Sequence, residues 1–104
     1  MIWRVILVEG ARREMRRAAG NYEQEREGLG ERFLDEVEAV RKQIATHPER
    51  YQRWPMDLDY RQAIVNVFPF VVFYRIDEVR QTIVIVAIAH TRREPGYWMT
   101  RLKP

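Results

Sequence analysis

The stretch Gln81–Ala89, QTIVIVAIA, is apolar on both of its alternating faces. Side chains of a strand point to opposite sides in turn, so Val84, Val86 and Ile88 are expected on one face and Ile83, Ile85 and Ala87 on the other. A strand with two apolar faces needs cover on both, which places it inside a sheet rather than at its border. Two further strand-like runs precede it, RQAIVNVF from Arg61 and FVVFYRI from Phe70. Phe68-Pro69 and Asp77-Glu78 separate the three runs, so both links read as short hairpins. Upstream, Glu49 to Tyr60 shows no clean period and reads as a connecting loop with aromatic anchors.

Earlier in the chain the period becomes helical. Ala11, Met15, Ala18, Ala19 and Tyr22 recur at helical spacing, with Arg12, Arg13, Arg16 and Arg17 between them, up to about Arg26. Gly28-Leu29-Gly30 marks a tight break, since glycine accepts the positive φ found at helix ends. Phe33, Leu34, Val37, Val40 and Ile44 then line one face of a second helix, which Pro48 stops. Ile2 to Val8 reads as a short opening strand. The order is β-α-α-β-β-β. It predicts an α+β domain, with a helical hairpin packed on one face of a mainly antiparallel four-stranded sheet and a short C-terminal segment. At 104 residues the chain suits one domain, spanning 1–104.

Composition removes several classes of function. There is neither cysteine nor serine, so disulfides, thiolate chemistry and a serine nucleophile are excluded. The longest apolar run, Ile83–Ala89, is far too short to span a bilayer, and the N-terminus shows no signal-peptide pattern, so a cytoplasmic setting is expected. Two histidines, His47 and His90, without zinc-type spacing, predict no metal, and no phosphate-cradling glycine loop predicts a cofactor. The net charge of +3 is unevenly spread. From Arg61 onward seven basic residues face three acidic ones, and only Lys42 and Lys103 are lysines. Arginine suits carboxylate and phosphate partners, although compositional bias accounts equally well for its abundance.

The basic surplus gathers behind the last strand, in AHTRREPGYWMTR, Ala89–Arg101. His90 stands where that strand ends, with a side chain suited to proton transfer, or to capping a loop. Arg61 shares a strand face with Ala63, Val65 and Val67, where a charge needs a partner or a ligand. Arg92 and Arg93 point oppositely if the strand continues, so one of them joins any site with Arg61. Tyr74 and Tyr97 are candidates for stacking or proton donation. Trp98 reads as a core plug or as a contact residue.

The tyrosine closing the first helix, then GLGERFL (28–34), Pro48, Arg61, FPF (68–70) with Tyr74, and HTRREPGYW (90–98) together resemble the RelE/ParE toxin superfamily, its plasmid-stabilisation type in particular. The likeness runs over nearly the whole chain. It implies the toxin of a type II toxin-antitoxin module, inhibiting growth and neutralised by a cognate antitoxin. By that resemblance Arg61, Tyr74, Arg92, Arg93, Tyr97, Trp98 and Arg101 form the expected partner-binding surface. The ParE-like branch poisons DNA gyrase by binding, which is the expectation adopted for this chain. The RelE-like branch cuts messenger RNA on the ribosome; on that alternative Arg61, His90 and Arg93 are the catalytic candidates. The lysines of the RelE-like branch are missing here, and Met99 falls nearer than Tyr97 to its C-terminal tyrosine. A non-toxic interaction partner is the third possibility.

Overall fold

The computed structural model describes residues 2–55 and 58–102. Strand β1 (Arg4–Leu7) leads into helices α1 (Glu9–Glu25) and α2 (Leu29–Thr46). A short 3-10 turn (Pro48–Arg50) and a loop precede β2 (Tyr60–Ile64), β3 (Phe70–Asp77) and β4 (Thr82–His90). A last 3-10 turn covers Met99–Leu102. The sheet order is β1-β4-β3-β2. The two hairpin pairings are antiparallel, and β1 lies parallel to β4 from Arg4↔Thr82 to Leu7↔Ile85. The sheet is therefore mixed, and β4 is interior, as its two apolar faces require.

The expected division of β4 into two faces fails halfway along. Tyr74 pairs with Ile85 but Phe73 pairs with Ala87, so Val86 is an extra residue, a β-bulge, on β4. Beyond it the alternation reverses. Ile88 joins Ile83 and Ile85 on the helix side with Val72 and Tyr74, while Val86, Ala87 and Ala89 join Phe73 and Trp98 on the other side. A bulge changes facing because one residue is inserted into a period of two.

The helices cover the first side. Their core is aromatic: Phe33 packs edge-on against Phe68 and Phe70 at centroid distances of 5.2 and 5.0 Å, and Tyr22 lies 4.9 Å from Phe68. Close approach of α1 and α2 depends on Gly30, where any Cβ would sit well inside van der Waals distance of the Ala19 carbonyl oxygen. Gly28, at φ 88°, makes the left-handed turn into α2. The Glu23 carboxylate accepts the N–H groups of Gly28 and Gly30, both at 3.0 Å, which would otherwise be orphaned at the start of α2. The second side of the sheet is covered by the C-terminal segment, through Trp98, and by the loop before β2, through Trp54, with Tyr60 of β2 packed between them.

Candidate functional site

β1 is four residues long and β4 is nine, so β4 has a bare edge after Ile85. Backbone groups stranded there need partners. Side chains supply them. Glu14, on the inner stripe of α1 between Ala11 and Ala18, accepts the Ile88 N–H at 3.0 Å. Arg101 donates to the Val86 carbonyl at 2.9 Å. The same two side chains bind each other, Arg101 Nη1 to Glu14 Oε1 at 2.9 Å and Nη2 to Oε2 at 3.2 Å. Arg93 adds a third bond to Glu14 at 3.1 Å, and the Tyr97 hydroxyl donates to the same carboxylate. The Glu14 side chain is only 13% exposed, so this is a part-buried carboxylate held by two guanidiniums.

The segment after β4 is thus strapped across to α1. Arg93 also stacks over the Tyr97 ring, 3.5 Å from its centroid. Burial pushes the Tyr97 phenol well above its ordinary range, and its hydrogen bond to Glu14 pushes the same way. Trp98 plugs the outer face, stacked on Phe73 at 4.6 Å and edge-on to Tyr60 at 4.7 Å. It is 1% exposed, and its Nε1 is buried without a hydrogen-bond partner. Beside it lies a cleft of about 190 Å³, walled by Trp54, Phe73, Trp98, His90, Arg93 and Tyr97. A second cleft, of about 220 Å³, opens between α1 and the end of β4, and His90 and Arg93 border both.

His90 faces Phe70 across the β3–β4 ladder, with ring centroids 5.2 Å apart. Its Nδ1 accepts the Arg92 N–H at 3.0 Å. The ring therefore caps the turn after β4, through a loop N–H rather than a carbonyl, and the neutral imidazole carries its proton on Nε2.

Arg61 lies elsewhere. It pairs with Tyr74 at the far end of β3, whereas His90 pairs with Phe70 at the near end. Its guanidinium donates to the carbonyls of Tyr51 at 2.7 Å and Glu49 at 3.3 Å. Tyr74, fully buried, donates its hydroxyl to the Pro48 carbonyl at 2.5 Å, and burial pushes its phenol far up. Arg61 and Tyr74 together pin the turn that follows α2. Of the residues expected to share Arg61's face, Ala63 and Val65 are buried, but Val67 lies outside β2 with φ 76° and is exposed.

The structure thus brings together His90, Arg93, Tyr97, Trp98 and Arg101, and puts Arg61 and Tyr74 in another neighbourhood. Arg92 is exposed beside His90. Glu14, which organises the cluster, escaped the sequence reading. A signal was present, because Ala11, Glu14 and Ala18 fall at i, i+3 and i+7 on one helical stripe. Among the described residues no cluster of three or more His, Cys, Asp or Glu side chains could hold a metal ion. None of the helices described is long and apolar enough to cross a membrane.

The comparisons agree with this architecture. A family model described as the ParE toxin of the type II toxin-antitoxin system parDE matches residues 5–95. No curated sequence matches the chain. Among solved structures, the toxin-antitoxin complex RelBE2 from Mycobacterium tuberculosis matches with 21% identity and a TM-score of 0.62, over 86% of this chain and 99% of the other. A mutant of E. coli toxin RelE in the free state matches with 13% identity and a TM-score of 0.73, over 98% and 99%. The chromosomal ParDE toxin-antitoxin system of P. aeruginosa matches with 15% identity and a TM-score of 0.64, over 88% and 98%. With the family model reaching from within β1 through both helices to the end of β4, the chain belongs to the ParE toxin family, in the RelE/ParE superfamily, as the toxin of a type II toxin-antitoxin system.

Proposed function

We propose that this toxin acts in the cytoplasm by binding a macromolecular target, with DNA gyrase as the candidate, and that a cognate antitoxin neutralises it. One observation carries the reading: the groups a ribonuclease would need are committed to separate internal partners. Attack by a 2′-hydroxyl on its neighbouring phosphate needs a base, an acid and cations around one phosphate. Arg61 is occupied by the carbonyls of Glu49 and Tyr51. Arg93 and Tyr97 are occupied by Glu14. The Tyr97 phenol, with its pKa raised, is a weak acid for a reaction at neutral pH. Of the catalytic candidates only His90 keeps a free ring nitrogen, Nε2, and neither candidate cation, Arg61 or Arg93, is free to join it.

Inducible expression in bacteria tests this. Growth arrest with DNA-damage signalling and intact messages is the expected result, and His90→Ala should retain it. Cleaved messages, with loss of cleavage in His90→Ala or Arg93→Ala, would overturn the reading in favour of the ribosome-dependent ribonuclease. Unrestricted growth with abundant soluble protein would point instead to a non-toxic partner.

A further inference from the structure

The arginines of α1 fall into two stripes with different fates. The sequence ARREMRR places Arg12 and Arg16 on one stripe, and Arg13 and Arg17 on the next. Arg12 and Arg16 both pair with Glu9, at 3.9 and 3.3 Å. Arg13 and Arg17 are exposed and make no ion pair among the described residues. Their stripe borders the 220 Å³ cleft at the end of β4, which is lined by Glu14, Arg17, Asn21, Phe70, His90 and Arg93. The one carboxylate in that cleft, Glu14, is already matched by Arg93 and Arg101. Arg92, in the chain between the cleft-lining His90 and Arg93, is also exposed and without an ion pair among the described residues. With its Nδ1 taken by the Arg92 N–H, neutral His90 keeps Nε2–H as its free donor.

Donors on α1 and at the end of β4 therefore border a cleft whose own negative charge is spent. We propose that this track seats an acidic peptide segment of a protein partner, carrying two carboxylates about one helical turn apart. Arg13 and Arg17 are roughly 6 Å apart at their Cβ atoms, which matches carboxylates spaced i, i+4 on a helix. The cluster next door already shows arginines of this fold binding a carboxylate, through Glu14. Nucleic acid fits less well. Non-specific binding of single strands relies on exposed aromatic faces for base stacking, and beyond the half-buried His90 imidazole this cleft offers none, since Phe70 is buried. This site stands independently of the gyrase reading, and its test uses no growth assay.

The test compares two double variants of identical charge change in the full chain, Arg13→Gln/Arg17→Gln and Arg12→Gln/Arg16→Gln. The probes are a fluorescent helical peptide with glutamates at i and i+4, and a labelled uridine decamer, read by anisotropy over a salt series. The first double variant should weaken peptide binding about tenfold and flatten its salt dependence, while the second changes it less than about twofold. Arg92→Gln, in the segment after β4, should weaken it about threefold. Equal losses in both doubles would reduce the effect to net charge and overturn the proposal. So would absence of peptide binding by the wild type. Tighter binding of the decamer, lost with Arg13 and Arg17, would reassign the track to nucleic acid.

Discussion

Replacing Glu14 by alanine should be among the most damaging single changes to a charged residue in this protein. The substitution leaves the Ile88 N–H without its acceptor and deprives Arg93, Arg101 and the Tyr97 hydroxyl of theirs. These losses are unequal. Arg93 is half exposed, so water replaces most of its pairing. Arg101 is 23% exposed and still tied to the Val86 carbonyl, so its charge is left poorly solvated. Hydrogen bonds to charged groups contribute roughly 1.5–3 kcal/mol each, and stranding a buried donor costs about 1–3 kcal/mol. Because the bonds share one carboxylate they do not add, and a total of about 2–4 kcal/mol is expected. For a chain of this length that lowers the melting temperature by roughly 10–20 °C. Glu14→Gln keeps an acceptor for Ile88 and should lose about half as much. Thermal melts followed by circular dichroism give the values, and a cycle with Arg101→Met should show a coupling of at least about 1 kcal/mol. A Glu14→Ala protein melting within about 3 °C of wild type would refute the view that this carboxylate holds the strap and the bare edge of β4.

Three further outcomes follow from the same structure. Trp98→Ala should cost about 3–5 kcal/mol in urea unfolding, whereas Trp98→Phe should cost well under half of that, since Nε1 makes no hydrogen bond to lose. If Trp98→Phe proves as damaging as alanine, the side chain has a polar partner that packing does not reveal. Gly30→Ala should destabilise by at least about 1–3 kcal/mol, because a methyl group there meets backbone rather than a yielding side chain; a neutral melt would mean the helices can separate freely. Stability should fall as pH rises above about 10, where unfolded tyrosines ionise but Tyr74 and Tyr97, with folded pKa values raised by burial, stay protonated. The slope approaches about 1.4 kcal/mol per pH unit for each tyrosine, and Tyr74→Phe or Tyr97→Phe should flatten it in melts between pH 9 and 11.5.

The architecture was legible because its signals are periodic. The two-faced apolar run 81–89 announced an interior strand, and the helical stripes announced the hairpin that covers it. The partner of β1 was not, since a four-residue strand carries no mark of which neighbour it joins. Nor was the bulge at Val86: nothing in TIVIVAIA distinguishes a straight ladder from one with a residue inserted, and only the pairing with β3 decides it. The site was half legible. His90, Arg93, Tyr97, Trp98 and Arg101 are close in sequence and proved close in space. Arg61 was grouped with them by the resemblance, and strand alternation fixes its face but not its position along the sheet. Glu14 lies 87 residues from Arg101, and a contact of that span leaves no local trace.

The sheet order has a consequence for how the protein comes into being. The last strand to be synthesised, β4, lies between the first strand and the third. Until it arrives, β1 has no neighbour and the apolar stripes of α1 and α2 have little to cover. The strap, anchored through Arg101 to Glu14, arrives later still. Long-range pairings of this kind form slowly, because a large loop must close before any contact rewards it. A nascent chain of this toxin therefore cannot close its sheet until β4 has been made.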